Sequence, residues 1–172
     1  MAKRITPTDD KLHHEYGRST SKRWIICTGS MPAIKKEIAA GLIPAQQVSG
    51  PAAEEGTRAH NLGELCIIKG YDPDDFFMQE FEGATITEDY ISAVRVYINY
   101  CNEIKNNPST ISWAAEESYD LTDYVDGADC GGSADFSAVY ENGDDSGFTL
   151  EIDDYKHGRG VMVSIEGNTQ AR

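Results

Sequence analysis

The sequence predicts an α/β protein, an α+β sandwich whose helices come first and are followed by mostly antiparallel strands. Two observations carry this prediction. Apolar residues recur with the helical period up to Asn106, whereas short β-branched and aromatic segments separated by Asp, Gly and Asn turns begin at Ile111. The chain has 172 residues, 40% hydrophobic and 26% charged, which is typical of a single globular domain with a buried core.

Three helices are predicted from capping residues and apolar spacing. Met31–Ala40 is a short helix that follows thirty polar, irregular residues and stops at Gly41. Ala52–Lys69 is a longer helix closed by Gly70. Thr87–Asn106 has acidic residues in its first turn and the clearest apolar stripe. That stripe comprises Ile91, Val94, Ile98, Cys101 and Ile104.

Three strands are predicted after the helices, in Ile111–Leu121, Gly132–Tyr140 and Gly147–Tyr155. The turn-forming residues between them indicate consecutive antiparallel neighbours, so that the last two strands can form a hairpin. Val161–Ser164 is expected to be a short extended segment, and Glu166–Arg172 to open another helix.

The charge is acidic and unevenly distributed. The chain has 15 Lys and Arg against 29 Asp and Glu, a formal net charge of −14. Within the single domain, residues 1–50 form a basic amino-terminal region with eight basic and four acidic residues, a net of +4. Residues 51–172 form the core, with seven basic and 25 acidic residues, a net of −18. This balance excludes a basic nucleic-acid-packaging protein and places any phosphate contact mainly in residues 1–50, unless those charges are only a solvated surface.

The cysteines and the hydropathy exclude several classes of protein. The four cysteines stand alone, at Cys27, Cys66, Cys101 and Cys130. Without a C-x-x-C pair, no zinc knuckle, redox motif or iron–sulfur cluster is predicted, and reduced thiols are expected. No apolar run reaches the ~20 residues of a membrane span, and the amino terminus lacks the apolar stretch of a secretory signal. We therefore expect a cytoplasmic protein with no membrane partner.

The third predicted strand ends in an acid-x-Lys unit, Asp154-Tyr155-Lys156. Side chains alternate along a strand, so Asp154 and Lys156 share a face with the apolar residues that precede them. A carboxylate on a buried face needs a metal or another cation. An acid that binds a divalent cation, followed by a lysine, suits phosphodiester hydrolysis, although so short a motif also occurs by chance.

Asp135 and His60 are further candidate ligands. Asp135 lies in a glycine-rich entry to the preceding strand, where a hairpin would bring its carboxylate near that of Asp154. Two converging carboxylates form a hard-oxygen site for Mg²⁺ or Mn²⁺. His60 and Glu64 lie four residues apart on one helix face, which makes His60 a third ligand with Glu64 beside it. A strand-edge acid and a surface His–Glu pair are the alternative interpretations.

These motifs follow a specific order along the chain. They are Gly56-Thr57-x-x-His60, Gly132-Ser133-Ala134-Asp135, Asp154-Tyr155-Lys156 and Asn168-x-Gln170. The order resembles the RecB-like branch of the PD-(D/E)XK nuclease superfamily, and most closely a phage-associated family of such nucleases. The His-containing leader of that family is similar to residues 13–19, and the segment that follows it is similar to Ser21–Ser30, with Thr28 in place of the usual proline. Its Gly-x-Gly-Val segment is similar to residues 158–161.

The resemblance implies a restriction-endonuclease-like core, with a central mixed sheet flanked by helices. It also implies a set of metal ligands for Mg²⁺ or Mn²⁺, namely His60, Asp135, Asp154 and the carbonyl of Tyr155. Lys156 would be the catalytic lysine, and Gln170 the glutamine of a Gln-x-x-x-Tyr motif that contacts DNA or orients the site. An imidazole ligand favours Mn²⁺.

The implied function is a metal-dependent DNA nuclease, a phage-type exonuclease of recombination or replication, encoded by a phage or prophage and acting in the bacterial cytoplasm. DNA is the implied substrate, and a single-strand annealing protein is an implied partner. Because the sequence stops at Arg172, before the motif tyrosine, the chain is expected to lack carboxyl-terminal elements of the family. The alternatives are a non-catalytic nuclease-fold module that binds DNA or protein, and an acidic protein that mimics DNA.

Overall fold

The computed structural model describes residues 4–5, 14–17, 20–44, 50–124, 126, 128–143 and 147–158. These residues belong to two compact units. The first takes its described residues from Met1–Val48 and Ser118–Ser133, and the second from Ser49–Glu117 and Ala134–Val161. Within the described residues, no helix has both the length and the hydropathy needed to cross a membrane.

The elements are numbered in chain order. They are β1 (Arg4–Ile5), β2 (Tyr16–Gly17), α1 (Ser21–Ile26), α2 (Ser30–Ala39), α3 (Pro51–Lys69), β3 (Glu80–Phe81), β4 (Ala84–Thr85), α4 (Glu88–Lys105), β5 (Thr110–Asp120), β6 (Cys130–Glu141) and β7 (Phe148–Asp153). Pro73–Phe76 and Thr122–Tyr124 form 3₁₀ turns. The helices and strands together confirm the α+β class.

The first unit contains α1, α2, β1, β2 and the parts of β5 and β6 at residues 118–120 and 130–133, in the strand order β1-β5-β6-β2. Strand β1 pairs with β5 antiparallel, whereas β2 pairs with β6 in parallel, so the sheet is mixed. Helix α2 confirms the helix predicted at Met31–Ala40. A restriction-endonuclease-like core stays a prediction.

Helix α1 shows that the expectation of irregular structure before residue 30 is wrong at Ser21–Ile26. Six residues are too few for a helical period to be recognised in the sequence. The helix is held by contacts to the residues before it. The Trp24 indole N–H donates to the Gly17 carbonyl oxygen at 3.2 Å, and the Trp24 ring meets the Tyr16 ring edge-on at 5.8 Å between centroids.

In the second unit, α3 and α4 begin and end close to their predicted positions. Helix α3 is closed by Gly70, whose φ of 72° is left-handed and therefore favours glycine. Thr87 caps α4, because its hydroxyl oxygen accepts a hydrogen bond from the Tyr90 backbone N–H at 3.3 Å. The predicted helices Ala52–Lys69 and Thr87–Asn106 are confirmed.

The core of the second unit forms where α3 packs on α4. Its most deeply buried side chains are Ala59, Leu62, Ile67, Ile86, Val94, Cys101 and Phe136. The whole apolar stripe predicted for α4 is buried, which confirms that prediction. The two helices approach closely at Gly63, where a Cβ would lie 3.1 Å from the ring of Tyr97.

Strands β6 and β7 form the predicted antiparallel hairpin, in which Phe136 pairs with Asp153 and Glu141 with Phe148. Strand β7 ends at Asp153, two residues before its predicted end. Its apolar side chains at Phe148, Leu150 and Ile152 are exposed, so the face that Asp154 was expected to share is not a buried one. The segments predicted at 161–164 and 166–172 lie outside the described residues.

Two valines of α4 offer a matched test of this core. Val94 is fully buried, whereas Val96 is 71% exposed. We expect Val94→Ala to lower the free energy of unfolding by about 2–3 kcal/mol, because it removes two buried carbon atoms and leaves a cavity. Val96→Ala should change it by less than about 0.5 kcal/mol. Urea unfolding measures both, and equal effects would contradict the packing described.

Candidate metal centre

One imidazole and two carboxylates converge in the second unit. His60 lies on α3, Glu116 on β5 and Asp135 on β6. His60 Nδ1 is 3.1 Å from Glu116 Oε1 and 3.5 Å from Asp135 Oδ1. One potential ligand atom from each residue lies within 4.8 Å of the other two. We call these three residues the HED cluster.

Glu116 enters the HED cluster through an unusual backbone conformation. Its φ is 49°, in the left-handed region that a non-glycine residue in a strand rarely adopts. The neighbouring Trp113 and Ala115 pack against the core, and Glu116 is itself only 9% exposed, so the simple alternation of faces is interrupted here. A strained residue that carries a buried charge is a recognised indicator of a functional position.

Sequence reasoning missed Glu116, although one signal was present. Glu116 and Glu117 are adjacent within the predicted strand Ile111–Leu121. Because neighbouring strand residues point to opposite faces, one of two consecutive glutamates must point toward the packed face of the sheet. That position calls for a cationic or hydrogen-bonding partner, and in the structure the partner is His60.

Asp135 is fixed by hydrogen bonds to its side chain and to its backbone. The Tyr155 backbone N–H donates to Asp135 Oδ2 at 2.6 Å, and the Tyr97 hydroxyl donates to the Asp135 carbonyl oxygen at 3.0 Å. The Tyr97 and Tyr155 rings stack at 4.4 Å between centroids, and the Tyr155 ring lies 5.3 Å from that of His60. Asp135 therefore has little freedom to leave the HED cluster.

The carboxylates determine the protonation of the imidazole. Hydrogen bonding to Asp135 and to Glu116 raises the pKa of His60 to about 9, against the opposing effect of burial. At neutral pH an imidazolium therefore offsets one of the two buried negative charges. One imidazole nitrogen with carboxylate oxygens is also a donor set suited to Mn²⁺ or Mg²⁺, so the residues present fit the ion that the sequence predicts.

The remaining predicted site residues lie elsewhere or outside the described residues. Asp154 and Lys156 follow β7 and form an ion pair of 2.6 Å, with the Lys156 side chain 66% exposed. Asp154 and Glu64 are not members of the HED cluster. Tyr155 contributes its backbone N–H to Asp135, and Gln170 lies outside the described residues. The structure thus brings His60 and Asp135 together. The third side chain of the cluster is Glu116 and not the predicted Asp154.

Asp154 is not part of the HED cluster because its side chain points toward solvent. The side chains of residues 154–157 alternate between exposed and partly buried positions. Tyr155 and His157 are partly buried, whereas Asp154 and Lys156 are exposed. A groove of about 500 Å³ runs between this segment and one face of α4, where Tyr97 and Tyr100 line it. The ion pair of Asp154 and Lys156 is therefore accessible to a ligand that enters the groove.

The raised pKa of His60 gives a testable pH dependence. Its folded-state pKa of about 9 lies above the ordinary value of 6.5. The stability contributed by the imidazolium is therefore fully present below about pH 6.5 and is lost as the pH rises through about 9, a total of ~3 kcal/mol. Urea unfolding of the metal-free protein across this range should show the loss, and His60→Gln should abolish it.

A direct measurement accompanies this prediction. Histidine side-chain NMR in the presence of a chelator should report one imidazole that titrates near pH 9, and Glu116→Gln should lower that value. A His60 pKa that remains at 6.5 in the wild-type protein would contradict the contacts described.

Comparison with protein-family models identifies the family of this chain. No solved structure matches the chain. The model of a family described as "Protein of unknown function (DUF2800)" matches residues 13–172, which include all three residues of the HED cluster. Because the match extends over nearly the whole chain, this protein belongs to the DUF2800 family.

Proposed function

We propose that this protein is a metal-dependent deoxyribonuclease of the PD-(D/E)XK type, which holds Mg²⁺ or Mn²⁺ at the HED cluster. The observation that carries the proposal is the convergence of His60, Glu116 and Asp135 beside the segment that contains Asp154 and Lys156. The HED cluster places two buried carboxylates beside one imidazole, which is a formal excess of negative charge over these three side chains. A divalent cation is the group that best offsets such an excess.

The bound ion and the side chains would divide the chemistry between them. The ion would polarise a phosphate oxygen and lower the pKa of a bound water. Asp135 is held by the Tyr155 N–H at 2.6 Å, which ties the backbone just before Lys156 to the metal ligands. Lys156 can then present its ammonium group to a phosphodiester or to the attacking water. Asp154, 2.6 Å from that ammonium group, orients it in the absence of DNA.

The charge distribution supports DNA as the substrate. The net charge of +4 on residues 1–50 offers phosphate contacts, while the acidic remainder of the chain discourages non-specific binding. We extend the proposal to exonuclease action in phage recombination or replication, on the strength of the resemblance in motif order. A single-strand annealing protein would be the partner in that setting.

The first test is cleavage of linear double-stranded DNA. We expect hydrolysis with Mn²⁺ and none with a chelator. Asp135→Asn and Glu116→Gln should each lower kcat/KM by about 100-fold or more, equivalent to ~3 kcal/mol of transition-state stabilisation. Glu103→Gln makes the same chemical change on an exposed part of α4 and should leave the rate unchanged.

A second test separates catalysis from metal binding. Lys156→Ala should abolish cleavage while Mn²⁺ affinity, measured by calorimetry, stays within about threefold, because a lysine does not coordinate the ion. Asp154→Ala should also lower the rate, through loss of the partner that orients Lys156. Unchanged cleavage in both variants would rule out the assigned roles.

One observation favours a second candidate function, a non-catalytic module that keeps the nuclease fold and binds a metal. Asp154 is engaged with Lys156 and is not a member of the HED cluster, so the acid of the acid-x-Lys unit is not among the converging carboxylates. Mn²⁺ binding to the wild-type protein without cleavage of any DNA substrate would support this module. Cleavage that requires Lys156 would support the nuclease.

A further inference from the structure

His157, which immediately follows Lys156, is a buried residue without an assigned role. Residues 154–158, the described residues that follow β7, have no regular secondary structure and lie outside the strand ladder. Their position therefore depends on side-chain contacts rather than on strand pairing. The His157 side chain is only 7% exposed, so it is a principal anchor of this segment.

Both nitrogens of the His157 ring face a polar partner. Nδ1 lies 3.0 Å from the Tyr155 hydroxyl, and Nε2 lies 3.6 Å from Glu55 Oε1 on α3. The ring also packs against Tyr90 of α4, at 4.8 Å between centroids. In the tautomer with its proton on Nε2, the ring points that N–H toward the carboxylate and accepts from the Tyr155 hydroxyl at Nδ1.

The two contacts differ in strength. Glu55 is 54% exposed, and its 3.6 Å separation from Nε2 is longer than a hydrogen bond. Exposed pairs of this kind contribute little, because solvent screens them. The contact between Nδ1 and the Tyr155 hydroxyl has hydrogen-bond length and is partly buried. It is therefore the contact that fixes Tyr155.

Tyr155 in turn contacts two residues of the HED cluster. Its backbone N–H donates to Asp135, and its ring lies beside that of His60. Its ring also stacks on Tyr97, whose hydroxyl holds the Asp135 carbonyl oxygen. A displacement of the Tyr155 side chain would therefore alter the hydrogen bonds to both the side chain and the backbone of Asp135.

We propose that His157 is a positioning residue for the HED cluster, acting through the Tyr155 hydroxyl to keep the Tyr155 N–H on Asp135. The effect of His157 on metal binding rests on the proposed function. The effect of His157 on the Tyr155 hydrogen bond is independent of that function and can be measured without metal or substrate. His157 thus links the backbone just before Lys156 to the metal ligands through its contact with the Tyr155 hydroxyl, although His157 is not itself a ligand.

Two conservative variants distinguish the two ring nitrogens. An asparagine amide can occupy the place of Nδ1, and a glutamine amide that of Nε2. His157→Asn should therefore keep the Tyr155 contact, whereas His157→Gln should lose it and keep only the weak contact to Glu55. Glu55→Gln, with Glu54→Gln as an exposed neighbour for control, isolates the Glu55 contact and should have an effect below about twofold.

The first measurement is amide hydrogen exchange by NMR in the full chain with a chelator present. Relative to the Ile98 amide in the core of α4, His157→Gln should accelerate exchange of the Tyr155 amide by about tenfold or more. His157→Asn should keep it within about threefold of wild type. A general loss of stability would accelerate exchange of both amides. The ratio of the Tyr155 exchange rate to the Ile98 exchange rate therefore reports the positioning of Tyr155. Equal ratios in wild type, His157→Gln and His157→Asn would overturn the proposal.

The second measurement is calorimetry with Mn²⁺ on the same proteins. His157→Gln should weaken Mn²⁺ binding by about tenfold, within the range for residues that support metal ligands, and His157→Asn should restore it. Faster Tyr155 exchange with unchanged Mn²⁺ affinity would overturn the link from His157 to the HED cluster. If the wild-type protein binds no Mn²⁺, the proposed function fails, and the exchange ratio still decides whether His157 positions Tyr155.

Discussion

Two carboxylates buried against a single imidazole impose the main electrostatic constraint on the second unit. Removing Glu116 and Asp135 from water carries a large desolvation penalty, and the imidazolium of His60 offsets only one of the two charges. The hydrogen bond from the Tyr155 N–H to the Asp135 carboxylate supplies further compensation. The positions of α3, β5 and β6 are therefore linked by charge as well as by the apolar core.

This constraint explains why some features of the site lower the stability of the folded state. The left-handed φ of Glu116 and the residual negative charge both disfavour the folded state. Under the proposed function, a bound cation would relieve the second of these costs, and stability would rise with the concentration of the ion. The apolar packing of α3 on α4 does not depend on these charges, and it supplies free energy that offsets both costs.

Residue spacing correctly predicted the elements that follow a regular period. It could not predict the places where the structure departs from that period. The apolar stripe of α4 and the hairpin of β6 with β7 follow directly from residue spacing. Helix α1 is too short to produce a period, and its stability depends on contacts with Gly17 and Tyr16. Glu116 was missed, despite the signal of two adjacent glutamates, because no pattern encodes its left-handed φ within a strand. Asp154 was expected on a buried face because apolar residues alternate along β7, but Phe148, Leu150 and Ile152 are exposed.

The contact between Gly63 and Tyr97 has a consequence for how this family can vary in sequence. Gly63 lies in the middle of α3, where alanine would ordinarily improve a helix. Any larger residue there must displace the ring of Tyr97, which carries the hydroxyl that holds Asp135. We therefore expect variation at this position to be constrained by the Asp135 backbone, which Gly63 does not touch, so that a relative with a larger residue there would need a compensating change at Tyr97.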